Sequence, residues 1–427
     1  MPADETRDVP KLAEHLFRHE SGKLVSALVG IFGIRRLQLA EDVVQEALIR
    51  ALETWPFHGI PANPAAWLMQ TAKNRALDLI RREKRFHEKL PEITASIERL
   101  SESDGLHDDE IRDDRLRLIF ACCHPSLPPD DQTVLALKTL CGFGIAEIAH
   151  AFLSSEAAIA KRLNRAKQRI RDEGIPFEIP ESRDLAARID AVLHVLYLLF
   201  NEGYKASTGD RIVRADLCQE AIRLAELLTR HPDTGSTRLH ALLALMLLNA
   251  ARLPARETPS GDLLRLCEQD RAKWDRPMIA RGLLHLSRSA ACDDLTGYHL
   301  QAGIAAHHAT AESDAATDWP AILKHYDQWA VFDDSPFISL SRAVAISRVH
   351  GPQAALAALA PLRESGSLDG YHLFHAVLGD LEKQLGRLPA AAAHFEKALT
   401  LTEVAAEQAF ISARMEDCRD AHPQACG

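Results

Sequence analysis

Residues 144–171 read GIAEIAHAFLSSEAAIAKRLNRAKQRIR. Ile145, Ile148, Ala149 and Phe152 recur at i, i+3, i+4 and i+7, which is one apolar face of a helix. Leu153-Ser154-Ser155 interrupts the pattern as a short turn. Ser155 is a favoured N-cap, and Glu156 suits the positive end of the helix dipole. Ile159, Leu163, Ala166 and Ile170 then form a second face. Two short amphipathic helices joined this way make a helix-turn-helix. Its second helix is built to lie in the major groove with its N-terminal residues at base edges.

The residues off the core stripe fit that use. Lys161, Arg162, Arg165, Lys167, Arg169 and Arg171 are basic, in a chain of formal net charge −10. Such cations neutralise phosphates and reach guanine edges. Solvated helices also carry several Lys and Arg, so basicity alone is weak; the helix-turn-helix frame decides for nucleic acid. The candidate DNA-contacting residues are Ser155, Ala158, Lys161, Arg162, Arg165 and Lys167.

The rest of the chain sets this motif in an all-α frame. At roughly 100–200 residues per domain, 427 residues imply two to four domains. Hydrophobic content of 47% and charged content of 26% are those of a globular protein, and Ala and Leu dominate over β-branched runs. No apolar run reaches the ~18–20 residues that span a bilayer, and MPADETRDVPKLAEH is too polar for a signal peptide. A cytoplasmic location is expected. Eight scattered cysteines read as reduced thiols, mostly in cores. Residues 1–10 read as a tail, 11–86 as a first helical domain, and 87–114 as an acidic linker. Residues 115–173 read as the helix-turn-helix domain and 184–427 as a large helical domain. Helix breaks fall near Gly33 and at PFHGIPANP (56–64), PSLPPDD (125–131) and CGFG (141–144).

The first domain carries a second signal. On AEDVVQEALIRALE, Glu41, Asp42, Gln45 and Glu46 form a polar edge opposite Val43, Val44, Ala47 and Leu48. After the Pro-rich loop, Leu68, Ala72, Ala76 and Leu79 read as a core stripe, while Lys73, Arg75, Arg81, Arg82, Lys84 and Arg85 carry charge. An acidic helix followed by a basic one suggests a basic protein surface as one partner and nucleic acid as the other.

This order of parts resembles the extracytoplasmic-function (ECF) sigma factors of the sigma-70 family. AEDVVQEALIRALE resembles their region 2.2, NPAAWLMQTAKNRALDLIRR their regions 2.3 and 2.4, and 115–173 their region 4. The resemblance implies a factor that binds core RNA polymerase at the β′ clamp helices and the β flap, reads promoter DNA, and is not an enzyme. By position, Asp42, Gln45 and Glu46 would contact polymerase. Asn63 would lie in the loop cradling a flipped −10 base, a state that needs a pocket for the unstacked base. Lys73, Asn74, Arg75, Arg81 and Arg82 would meet −10 DNA, and the helix-turn-helix the −35 element. Trp67-Leu68 stands where primary sigma factors carry a Trp pair, and Trp67 reads as core because its neighbours follow the core period.

The chain continues well beyond region 4. In LGDLEKQLGRLPAAAAHFEKALTL (378–401), Leu378-Gly379, Gly386, Ala391, Phe395 and Ala398 fall at tetratricopeptide spacing, and SRAVAISRVHGPQAALAALAPL (341–362) is a looser copy. An irregular helical bundle is the competing reading for 184–300. With YLLFNEGYKAS (197–207), the extension resembles the ECF subgroup with a long tetratricopeptide-like C-terminal domain. That resemblance implies regulation from within the chain and a protein or peptide partner. Asn201, Glu202 and Tyr204 close an apolar helix, either as a domain contact or small site or as a packed helix end. Cys122-Cys123-His124 reads as the end of a core helix, since adjacent cysteines rarely share one zinc. No metal or cofactor is expected. A polymerase-independent regulator with a helical sensing domain is the alternative; it would leave 40–86 without a use.

Overall fold

The computed structural model describes residues 9–84, 108–152, 154–180, 182–204, 213–230, 235–258, 264–291, 295–402 and 404–420. Among these there are nineteen α-helices and no strand, as an all-α reading requires. The chain divides into two compact units. One holds residues 1–203 and 216–234, the other 204–215 and 235–427.

In the first unit, α1 (Val9–Phe32), α2 (Leu37–His58) and α3 (Pro64–Lys84) pack together. Leu24 and Leu28 of α1 and Val43, Val44, Ala47 and Leu48 of α2 are all buried where the helices pack together. The α3 stripe is Leu68, Ala72, Ala76 and Ile80; Leu79, one residue short of it, is only half-buried. Each step of four advances about 40° at about 100° per residue, so the buried stripe winds round the helix to reach Ile80, while Leu79 stays nearly in line with Leu68, off the end of that winding stripe. The break expected from Pro56 comes later. α2 runs through Pro56 and stops at Gly59, whose φ of 82° only glycine adopts freely. Proline is tolerated in this last turn because little helix remains to be disrupted.

Four helices follow: α4 (Asp108–Cys122), α5 (Pro129–Cys141), α6 (Ile145–Ala151) and α7 (Glu156–Glu173). The expected linker residues 87–107 lie outside the described residues. Residues 108–114 belong to α4, and Asp114 is buried. α4 and α5 also pack against α1, so the two helical groups share one unit. α8 (Ser182–Tyr204) and α9 (Ala215–Arg230) bring Leu196, Leu199, Leu217 and Leu224 to the core of that unit.

The second unit holds α10 (Thr237–Ala250), α11 (Arg276–Ser289), α12 (Gly297–Thr310), α13 (Trp319–Trp329) and α14 (Pro336–His350). α15 (Pro352–Ala358), α16 (Ala360–Ser365), α17 (His372–Gln384), α18 (Leu388–Leu399) and α19 (Ala405–Asp420) complete it. α10 is apolar nearly all round and is buried accordingly. At 378–401 the spacing is realised as an α17–α18 hairpin. Ala391, Phe395 and Ala398 are fully buried, and a Cβ on Gly379 would lie 2.8 Å from the Phe395 ring. In the looser copy the second helix is split into α15 and α16, because Pro361 lacks the N–H to continue it.

Candidate nucleic-acid interface

α7 is placed by its cap and its core stripe. The Ser155 hydroxyl accepts a hydrogen bond from the Ala158 N–H at 3.2 Å, and Ile159, Leu163, Ala166 and Ile170 are buried against α5 and α6. Ser155, Lys161 and Arg165 are exposed; Ala158 and Arg162 are half-buried; Leu153 of the turn lies outside the described residues. Three α7 arginines lean on the start of α5 and the loop before it. Arg162 pairs with Asp130 at 3.2 Å, Arg165 reaches Asp131 at 3.8 Å, and Arg169 donates to the Ser126 carbonyl at 2.9 Å.

Lys167 points the other way. It is 9% exposed and forms an ion pair with Glu41 of α2, itself 7% exposed. Lys167 also donates to Gln38 Oε1 at 2.9 Å, and the Thr139 hydroxyl donates to Glu41 Oε1 at 3.0 Å. α2, α5 and α7 thus meet at one buried charge pair. In this arrangement Lys167 is withheld from solvent and hence from DNA.

On α2, Asp42, Gln45 and Glu46 are exposed, as the polar edge implied, while Glu41 turns inward. Asp42 accepts from Gln38 at 2.7 Å, and Glu46 pairs with Arg75 of α3, which raises the Arg75 pKa through that hydrogen bond. Asn63 is exposed and caps α3, its side-chain oxygen accepting from the Ala66 N–H at 3.0 Å. Asn74, Arg81 and Arg82 are exposed, whereas Lys73 is 8% exposed and faces inward. Trp67 is half-buried, edge-on to buried Trp55 with ring centroids 5.5 Å apart.

Comparison with known proteins identifies this layout. Residues 16–86 match Sigma-70 region 2, and residues 117–170 match Sigma-70, region 4. The ECF RNA polymerase sigma factor SigL of Mycobacterium tuberculosis is 31% identical over 133 residues, covering 31% of this chain and 72% of that protein. The chain belongs to the sigma-70 family. As a sigma factor it is a DNA-binding transcription initiation protein. Residues 188–290 of the sigma factor match a family of unknown function, DUF6596. The "Uncharacterized protein R00370" of Rhizobium meliloti strain 1021 is 44% identical over 385 residues, 90% of either chain. No solved structure matches this sigma factor.

In this sigma factor the region 2 helices are therefore α1–α3, and α7 is the second helix of the region 4 helix-turn-helix. One feature of α2 escaped the sequence reading. Ile49 (56% exposed), Leu52, Phe57 (84% exposed) and Ile60 continue the outer face beyond Glu46 as an apolar strip. Their spacing blends with the helical period of the core residues, so only exposure separates the two sets. Cys122 and Cys123 are buried; burial raises both thiols, Cys123 to about 12. The neighbouring His124 ring accepts from the Ser126 N–H at 3.2 Å, and burial lowers its pKa. Tyr204 is held by arginines. Its hydroxyl accepts from Arg252 at 2.7 Å, and the Arg256 guanidinium lies 3.7 Å from the ring centroid. Among the described residues no helix is long and apolar enough to cross a membrane.

Proposed function

We propose that this sigma factor is of the ECF type and docks on core polymerase through the outer face of α2. The supporting observation is the continuity of that face: exposed Asp42, Gln45 and Glu46 run into exposed Ile49, Leu52 and Phe57. An apolar strip beside charge on one solvent-facing helix suits a protein partner, with the apolar residues supplying affinity and the acids selecting a basic surface. α3 and the loop at Asn63 would open and read the −10 element, and α7 the −35 element. Reversing Asp42 and Glu46 to Lys is expected to abolish binding to core polymerase while leaving affinity for a −35 duplex unchanged. Retention of core binding would remove α2 from this role. Run-off transcription with purified core enzyme distinguishes the sigma role from a polymerase-independent regulator, which would yield no promoter-specific transcript.

Promoter reading requires the first unit to open. The −10 and −35 elements lie about 85 Å apart along B-DNA at 3.4 Å per base pair, whereas Lys167 of α7 sits 2.9 Å from Gln38 of α2. From Lys84 to Asp108 the chain can span roughly 80 Å when extended, and the widths of the two DNA-contacting helix groups make up the rest of the separation. In this reading the compact form is the closed form of the factor, and the Glu41–Lys167 pair is broken on the promoter.

The C-terminal helices, read as tetratricopeptide-like, would control that step. A truncation that tests this should remove 235–427, because α8 and α9 contribute to the core of the first unit. The expected result is a changed transcript yield at equal factor concentration. An unchanged yield would leave the extension without a regulatory role.

A further inference from the structure

The first unit contains a cavity of about 260 Å³ lined by α1, α4, α5, α8 and α9. Half of the residues in its wall are aliphatic, including Ile119, Leu196 and Leu217, and Asp216 and Gln219 of α9 also line it. Its polar part is unusual for so apolar a place. Arg115, with a side chain only 4% exposed, is in ion-pair contact with Glu220. Glu220 is shared, since Arg223 donates to its two oxygens at 3.0 and 2.8 Å. Two guanidinium groups therefore converge on one carboxylate, and the Arg115 Nε has no hydrogen-bond partner among the described residues. Burial and then the nearby Arg223 disfavour the charge on Arg115, with Glu220 opposing them. Burial alone would raise the Glu220 pKa; the two arginines outweigh it and hold Glu220 below its usual value. Lys23 and Arg223, with side chains 37% and 31% exposed, also line the cavity, and they place its opening toward solvent.

Glu220 supplies the countercharge for Arg115, so what is left open is the Arg115 Nε–H, and a buried donor without an acceptor is costly. An apolar cavity of about 150 Å³ already accommodates benzene, so this one has room for a hydrocarbon body. We propose that this cavity is a binding site for a small monocarboxylate with an apolar body, its carboxylate on Arg115 and Arg223 and its body among the aliphatic residues. Bidentate pairing of guanidinium with carboxylate supplies the selectivity. The cavity is shared by α1 of region 2, α4 and α5 of region 4, and α8 and α9 beyond them. A ligand seated there favours the form in which these helices are together. This makes the site an effector site on the factor itself.

The test uses the full chain and octanoate as probe, followed by titration calorimetry and by the thermal unfolding midpoint. Octanoate is expected to bind saturably at one site and raise the midpoint, with octanol at least about tenfold weaker. Arg115→Met, which leaves Glu220 its Arg223 partner, is expected to lose octanoate binding. Should Arg115→Met not fold, Arg223→Gln decides, because that side chain is partly in water; it is expected to weaken binding about tenfold. Octanol binding as tightly as octanoate would overturn the proposal. So would inorganic phosphate binding as tightly as octanoate, or a folded variant with unchanged affinity. Binding is read without polymerase or DNA, so its failure is separate from failure of promoter-specific transcription.

Discussion

Glu41 shows how much a single residue can decide here. The sequence placed it with Asp42 and Glu46 on one polar edge, yet it turns inward to a lysine 126 residues away. No local pattern announces such a pair, because helical periodicity assigns a face but not what lies against it. Removing one partner of a buried ion pair costs about 3–5 kcal/mol, and the loss falls on the closed form alone. Glu41→Gln is therefore expected to increase affinity for a −35 duplex, measured by fluorescence anisotropy. Wild-type affinity would show that the pair does not restrain α7. In the second unit, His308 gives a different readout. Burial, then Arg252 and Arg271, lower its pKa to about 4, against about 6.5 when unfolded. The folded state binds fewer protons in that window. Its stability is thus complete above about pH 6.5 and declines as the pH falls toward 4, by up to roughly 3 kcal/mol. His308→Gln is expected to flatten thermal stability between those pH values, and an unchanged slope would assign the acid sensitivity to other groups.

At the scale of elements, the sequence was most legible where one face is apolar and the caps are strong. Ser155, Ile159, Leu163, Ala166 and Ile170 stand as their spacing implied, and the α17–α18 hairpin closes over Gly379 as its small residue suggested. Legibility failed where exposure or long-range pairing decides. Ile49 and Phe57 look like core by residue type and are on the surface, while Lys73 and Lys167 look like surface and are buried. The α7 arginines add a prediction about an element pair. Asp130, with a side chain 69% exposed, competes with phosphate for Arg162. An exposed pair of this kind is worth at most about 1 kcal/mol. Asp130→Asn should therefore tighten duplex binding by no more than about fivefold, with a steeper dependence on salt. An affinity and salt slope equal to wild type would mean that Arg162 does not engage the backbone.

At the scale of the molecule, the compact first unit depends on close approach between helices that belong to different sigma regions. Gly22 sits inside α1, where glycine costs roughly 1 kcal/mol relative to alanine. A Cβ built there would collide with the Leu140 carbonyl of α5. Because the obstacle is backbone, it cannot be relieved by a rotamer change, and the absence of a side chain at residue 22 is what lets region 2 and region 4 pack together. The three atoms nearest that position all belong to Leu140, so the close approach is to region 4. Gly22→Val should therefore drive the two regions apart while sparing each one. The expected outcome is a larger radius of gyration by small-angle scattering, with helix content preserved. Run-off transcription should be equal to wild type or higher, because the step that opens the unit is already made. If Gly22→Val instead kept its helices and its core binding but lost the transcript, the closed packing would be part of the active state. The separation required by a promoter about 85 Å long would then have to be met another way.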